Sequence, residues 1–201
     1  VIRLLIADDQ ALVRGALAAL LSLEADIEVV AEVGRGDEVV DAARDSGADV
    51  ALLDIEMPGM DGIQAAAELR AALPACRVLI VTTFGRPGYL VRAMQAGASG
   101  FVVKDTPSAQ LADAVRRVSN GFRVVDPSLA AESLAQGDSP LTERETDVLS
   151  AARTGGSIAD LARILHLSEG TVRNHLSAVI GKTGARNRAD AARVAEQNGW
   201  L

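Results

Sequence analysis

Short apolar runs alternating with helical patterns over the first 120 residues restrict this chain more than any other feature. Ile2 to Ala7, Ile27 to Val33, Val50 to Leu53, Arg77 to Thr82 and Gly100 to Val103 read as strands. Ala11 to Leu23, Asp37 to Asp45, Gly62 to Ala72, Gly88 to Ala96 and Ser108 to Val118 carry apolar residues at helical spacing. Strands separated by helices cannot pair as tight hairpins. They pair in parallel through right-handed crossovers, with helices covering both faces of the sheet.

Five strands and five helices in this length fit an α/β, flavodoxin-like doubly wound sheet, with parallel strand order 2-1-3-4-5 and a ligand crevice where strands 1 and 3 meet. The residues at the carboxyl ends of the strands therefore matter most. Strand 1 ends in Asp8-Asp9, strand 3 in Asp54, strand 4 in Thr82-Thr83 and strand 5 in Lys104. Asp54 opens a turn punctuated by Pro58, Gly59 and Gly62. Singly, each has a plain structural reading as a capping Asp, a buried Thr or a solvated Lys. Together they put three carboxylates at one crevice. Like charges that close repel unless a cation offsets them, and an all-oxygen cluster with room for water suits Mg²⁺ better than a softer metal. The set suits phosphoryl transfer to a carboxylate: Asp54 as nucleophile, the metal on phosphoryl oxygens, Lys104 on another oxygen, and the Thr82 hydroxyl on the product.

With 49% hydrophobic and 23% charged residues the balance is that of a globular protein, and with aromatics at 2% the core relies on Leu, Val, Ile and Ala. No apolar run approaches the length of a membrane span and no charged-then-apolar leader opens the chain, so a cytoplasmic protein without membrane contact is expected. Cys76 is the one cysteine, which excludes an internal disulfide and a Cys-rich metal site. The net charge of -7 is unevenly placed: residues 1–120 hold 11 basic against 17 acidic side chains, residues 139–201 hold 8 against 7. Within the latter, Arg173, Lys182, Arg186, Arg188 and Arg193 stand against only Asp190 over 170–193, a stretch that can neutralise phosphates.

Asn120-Gly121 stops the fifth helix, and 121–138 reads as a linker around one weak helical run, Pro127 to Ala135. After Pro140 the strand pattern is gone. Thr142 to Arg153, Ile158 to Leu165, Gly170 to Lys182 and Arg188 to Gln197 read as four short helices, which gives domains at 1–120 and 139–201. Thr142 with Glu145 makes a capping box, and Ser168 is an N-cap candidate. Ile158 to Lys182 fits a helix-turn-helix whose second helix turns Val172, Leu176, Val179 and Ile180 inward and Thr171, Arg173, Asn174 and Ser177 outward. Arg can read guanine and Asn adenine in the major groove. The plainer alternative is a small helical protein-binding domain with a solvated face.

LLIADDQ, VALLDIEMPGMDG, VLIVTTF and AGASGFVVKD resemble the receiver domain of two-component response regulators over residues 1 to about 120. That resemblance implies that Asp54 is the phosphoacceptor. It further implies that Asp8, Asp9, Asp54 and the Glu56 backbone carbonyl hold Mg²⁺, that Thr82 is the switch hydroxyl, that Lys104 contacts the phosphoryl group, and that Phe101 is the switch aromatic. Phe101 has an equally simple reading as core. PLTERETDVL and LHLSEGTVRNHLSAVIGKTGARNRADA resemble the LuxR-type tetrahelical helix-turn-helix, and the two-domain order is that of the NarL/FixJ subfamily. Carried over by position, Arg173, Asn174 and Ser177 are base-edge readers and Thr171, Lys182 and Arg188 phosphate contacts. Gly181 and Thr183 depart from the subfamily pattern, so the recognition helix is expected to end early. EMPG, TTFGRPGYL, GTVRNH and EQNGWL also resemble the DesR group, regulators paired with a membrane-bound thermosensing kinase that control lipid desaturation.

The resemblance implies a transcription regulator, not an enzyme. Its partners are a sensor histidine kinase, double-stranded DNA with paired half-sites, and a second copy of itself once phosphorylated. Two other readings stay open. An aspartyl-phosphate-type phosphohydrolase would use the same Asp and Mg²⁺, but usually carries a second Asp two residues after the nucleophile, where this chain has Glu56. A phosphate-independent DNA-binding regulator would have no need of the full acidic set.

Overall fold

The structure, a computed structural model of the chain, describes all residues except 84–86, 128, 132–138 and 154, and the side chain of Pro87. Strands β1 (Ile2–Ala7), β2 (Ile27–Val33), β3 (Val50–Leu53), β4 (Arg77–Thr82) and β5 (Gly100–Val103) form where the apolar runs place them. They pair in parallel as β2-β1-β3-β4-β5. A sixth strand, β6 (Val124–Val125), then adds in parallel to β5, so the sheet has six strands where five were expected. Two residues are too few to show an alternation. What admits them is Gly100, where a Cβ would stand 3.0 Å from the Val124 carbonyl oxygen. Val124 N donates to Ser99 O at 3.0 Å, so the stretch read as linker begins with a strand.

Alternation along the strands sends successive side chains to opposite faces. Leu4, Ile6, Leu52, Leu79 and Val81 pack with Ala18 and Leu21 of α1 (Ala11–Leu21) and with Leu111, Val115 and Val118 of α5 (Ser108–Ser119). Leu5, Leu53 and Ile80, fully buried, fall on the other face. Each such side chain removed from water contributes about 1.5–3 kcal/mol. The second crossover enters through a 3₁₀ turn, Gly36–Glu38, before α2 (Val39–Ser46), so the regular helix starts later than the expected Asp37. Helix α3 (Gly62–Ala72) is capped by Asp61, whose carboxylate accepts from Gln64 N at 2.8 Å. Helix α4 (Pro87–Ala96) precedes β5.

The described residues from 139 to 201 belong to a second compact unit. The helical run expected over Pro127 to Ala135 lies largely outside the described residues. Helices α6 (Glu143–Arg153), α7 (Ile158–Leu165), α8 (Glu169–Thr183) and α9 (Arg188–Asn198) build this unit. The capping box at Thr142 forms, with Thr142 N donating to Glu145 Oε2 at 2.7 Å and Glu145 N to Thr142 Oγ1 at 3.3 Å. Ser168 caps α8 by accepting from Thr171 N at 3.1 Å. The early end expected for α8 does not occur: it passes through Gly181 and stops at Thr183, with Gly184 left-handed at its C-cap. Thr183 Oγ1 donates back to Val179 O at 2.8 Å, and the buried Leu176 and Val179 anchor the last turns, so packing overrides local propensity. No helix among the described residues is long and apolar enough to cross a membrane.

Candidate functional site

Parallel pairing of β1 with β3 sets Ala7 opposite Leu53, so Asp8 and Asp54 leave the sheet side by side, with Asp54 N donating to Ala7 O at 2.8 Å. Thr82 pairs with Val103, and Lys104 N donates to Thr82 O at 2.8 Å. Four strand ends thus deliver Asp8, Asp54, Thr82 and Lys104 to one edge. Asp8, Asp54 and Thr82 are 1%, 4% and 4% exposed, so these polar groups sit in a weakly solvated environment. Lys104 Nζ lies 2.7 Å from Asp8 Oδ2 and 3.0 Å from Asp54 Oδ2. The remaining oxygens take backbone donors: Ile55 N to Asp54 Oδ1 at 2.8 Å, and Gln10 N to Asp8 Oδ1 at 2.9 Å. Arg14 reaches from α1 to donate to the Asp8 carbonyl, a link between residues six apart that no sequence pattern announced.

Burial pushes the Asp54 carboxyl above the ordinary carboxylate range; the close ammonium of Lys104 pulls it back, and the neighbouring Asp8 charge pushes it up again. Burial works against the charge of Lys104 too, but its ion pairs with Asp8 and Asp54 outweigh that and hold the ammonium above its usual value. Asp9 is exposed, yet Asp8, Asp9 and Asp54 each offer an oxygen, all within 4.8 Å of one another. Three carboxylates against one ammonium leave a surplus of negative charge among hard oxygen donors. These residues fit a divalent cation such as Mg²⁺. Glu56 follows in the turn with its side chain outward. Phe101 is wholly buried and paired with Ile80, placed as a core residue. Cys76, buried, has its thiol pushed up to about 11 by burial, which makes it a poor nucleophile.

On α8, Arg173, Asn174 and Ser177 are exposed on one face, while Val172, Leu176 and Val179 are buried on the other. The three proposed base readers are therefore together. The proposed phosphate contacts are engaged within the unit. Thr171 Oγ1 is 2.8 Å from Ser168 Oγ, Arg188 donates to Gly156 O at 3.0 Å, and Lys182 Nζ donates to Glu145 Oε2 at 2.7 Å. Arg173 pairs with Glu169 at 2.6 Å, but on the surface. Glu145, only 6% exposed, is a structural residue that sequence reasoning read as a cap alone; a buried acid facing a lysine 37 positions on leaves no local signal.

Residues 4–116 match the response regulator receiver domain family, and residues 139–195 match the bacterial regulatory proteins of the luxR family. The transcriptional regulatory protein DesR of Bacillus subtilis (strain 168) is 42% identical over 200 residues, covering 100% of this chain and 99% of that protein. The crystal structure of the response regulator ChrA, from a heme-sensing two-component system, superposes with a TM-score of 0.60 at 34% identity, covering 100% of this chain and 98% of that one. RcsB, solved as dimers bound to DNA, shares the fold at a TM-score of 0.71 and 21% identity, covering 98% of each chain. A parallel sheet with an acidic edge crossed by a lysine, joined to a helix-turn-helix, defines a receiver coupled to a DNA-binding output. The chain belongs to the response regulators of two-component systems with a LuxR-type output domain, the NarL/FixJ type, and it regulates transcription.

Proposed function

We propose that Asp54 is the phosphoacceptor, that a sensor histidine kinase is the donor, and that phosphorylation drives pairing of the chain on DNA. The observation that carries this is Lys104 held between two buried carboxylates beside a third. A carboxylate oxygen of Asp54 forms the new P–O bond as the P–N bond to the kinase histidine breaks. Burial makes that oxygen more basic than a surface carboxylate, and Lys104 keeps it ionised. Asp8, Asp9, Asp54 and the Glu56 carbonyl would hold Mg²⁺, whose charge offsets that of the phosphoryl oxygens. The product carries nearly two added negative charges and three acceptor oxygens, which draw the Lys104 ammonium and the Thr82 hydroxyl toward Asp54. Because Lys104 N is bonded to Thr82 O, the ends of β4 and β5 move together, and Phe101 beneath them repacks.

The receiver spans 1–120 and the DNA-binding domain 139–201, and the protein acts in the cytoplasm. Arg173, Asn174 and Ser177 read base edges, with Thr171 and Arg188 near the phosphates and Lys182 beside them, its charge engaged by Glu145. Pairing puts two recognition helices on one duplex and raises affinity through effective concentration. Incubation with acetyl phosphate and Mg²⁺ followed by intact mass tests the first step: one phosphate is expected, and none in Asp54→Asn. Light scattering and DNA titration with a beryllofluoride mimic test the second. A chain equally dimeric and equally tight on DNA in both states would sink the switch, since a modification that does not distinguish two states cannot shift them.

A further inference from the structure

The turn after Asp54 is braced from outside the acidic edge, by the loop between β2 and α2. Residues 55–61 carry no regular structure, so their path depends on a few contacts. At one end Gly62 N donates to Ile55 O at 2.9 Å, and a Cβ on Gly62 would lie 1.8 Å from the Asp54 carbonyl oxygen. At the bend, Gly36 N donates to Pro58 O at 3.2 Å, and a Cβ on Gly36 would stand 1.9 Å from Met60 O. That neighbour is backbone, so no side-chain rotation relieves it. Gly59, at φ +80°, has its Cα side packed on the Asp37 carboxylate, which a Cβ would approach to 2.5 Å. Arg35 grips the same carboxylate bidentately at 2.9 and 2.8 Å, so Asp37 is itself fixed. Gly36, against the Met60 backbone at a distance no larger residue tolerates, and Gly59, left-handed and facing Asp37, bring the two loops together in a close backbone joint. Glu56 lies between its two ends.

We infer that Gly36 and Asp37 are positioning residues for the divalent cation at the acidic edge, acting through the turn that carries the Glu56 carbonyl. This rests on the functional reading above. Neither residue offers a ligand; they fix where residues 56–60 run, as outer-shell groups fix metal ligands elsewhere, at a typical cost of about 10–100-fold in metal affinity when lost.

The test is calorimetric titration of Mg²⁺ into the unphosphorylated full-length chain, with the thermal midpoint recorded for each variant. Asp37→Ala is expected to weaken Mg²⁺ about tenfold and Asp37→Asn, which loses one of the two Arg35 bonds, by less, while Asp45→Asn, which removes a charge from the exposed side of α2, stays close to wild type. Gly36→Ala is expected to weaken it at least as much. Phosphorylation by acetyl phosphate in the same variants should need more Mg²⁺ for half its maximal rate while reaching a similar maximum. If Gly36→Ala does not fold, Asp37→Ala decides. Wild-type Mg²⁺ affinity in Asp37→Ala overturns the inference, as does an equal loss in Asp45→Asn, which would make long-range charge the cause. A wild-type chain that binds no Mg²⁺ would instead sink the functional reading.

Discussion

Asp54 and Glu145 are both buried carboxylates that meet a lysine, at 3.0 and 2.7 Å, and the two sites push their acids in opposite directions. Asp54 is raised because burial dominates, and its lysine is shared with Asp8, whose charge adds to the penalty. Glu145 is lowered first by the hydrogen bond from Lys182, then by the Thr142 amide. Lys182 serves that one acid and keeps a 37% exposed side chain. The lesson is that a buried ion pair has no fixed worth; the balance between desolvation and the partners that reach the acid decides, with the surrounding charges adding to it. The sheet edge is left electrostatically short of cation, which suits a place where ions and phosphoryl groups arrive. The helical pair is satisfied and holds α8 to the start of α6.

The largest expected effect falls on the satisfied site. Glu145→Ala removes the capping carboxylate and the acid that pairs with Lys182, and should destabilise the helical unit by about 2–3 kcal/mol, less than for a fully enclosed pair because Lys182 can turn to water. Urea unfolding followed by the fluorescence of Trp200, the one tryptophan and a member of that unit's core, checks it. A loss below half a kcal/mol would break the contrast. At the sheet edge the sign reverses. Asp54→Asn relieves the crowded carboxylates and should stabilise the receiver, without added divalent cation, by on the order of 1 kcal/mol. A destabilised variant in circular dichroism melts would show that the edge is not short of cation.

The same contrast appears against pH. Glu145 is depressed, so its contribution is whole above the ordinary value of 4.5 and is lost as pH falls through the lower folded value; the cost of Glu145→Gln should shrink over that interval. Asp54 is raised, so its penalty is present above the folded value. It disappears as pH falls through that value toward 3.8, because the native state takes up the proton first. The advantage of Asp54→Asn should therefore also shrink. Urea midpoints of each variant against wild type, from neutral pH down to about 3, follow both differences; parallel signs at neutral pH would contradict the account.

How much of this was legible depends on sequence separation. The strand-end residues of the acidic edge could be read because each closes its own apolar run, and the parallel order then brings them together. The Thr142–Glu145 box was legible for the same local reason. The Glu145–Lys182 pair was not, since its partners lie 37 residues apart on separate helices. Strand β6 was hidden by having two residues, and the joint of Gly36 with Met60 by lying between two loops. The end of α8 was misread because Gly181 and Thr183 are poor helix formers in isolation, whereas buried Val179 and the Thr183 back-bond hold them.

The smallest expected effect is that of Lys182 on the salt dependence of DNA binding, and it separates two cations of the recognition helix. Arg173 is held by Glu169 in an exposed i,i+4 pair, which contributes only about 0.3–0.5 kcal/mol and gives way when a better acceptor arrives. Its guanidinium is thus available to a base edge, and Arg173→Ala should cost about 1–3 kcal/mol on the specific site and relax preference at one position in each half-site. Lys182 faces a buried acid that has no other cation among the described residues, so transferring it to a phosphate would strip Glu145. A cation that remains so engaged releases few counterions on binding. Lys182→Ala should then change the slope of log affinity against log salt by clearly less than about 0.9, the value for one full phosphate contact. DNA titrations of both variants at several salt concentrations decide the matter. A full unit of slope lost in Lys182→Ala, with the fold intact by Trp200 fluorescence, would make Lys182 a phosphate ligand and end the view of the Glu145 pair as purely structural.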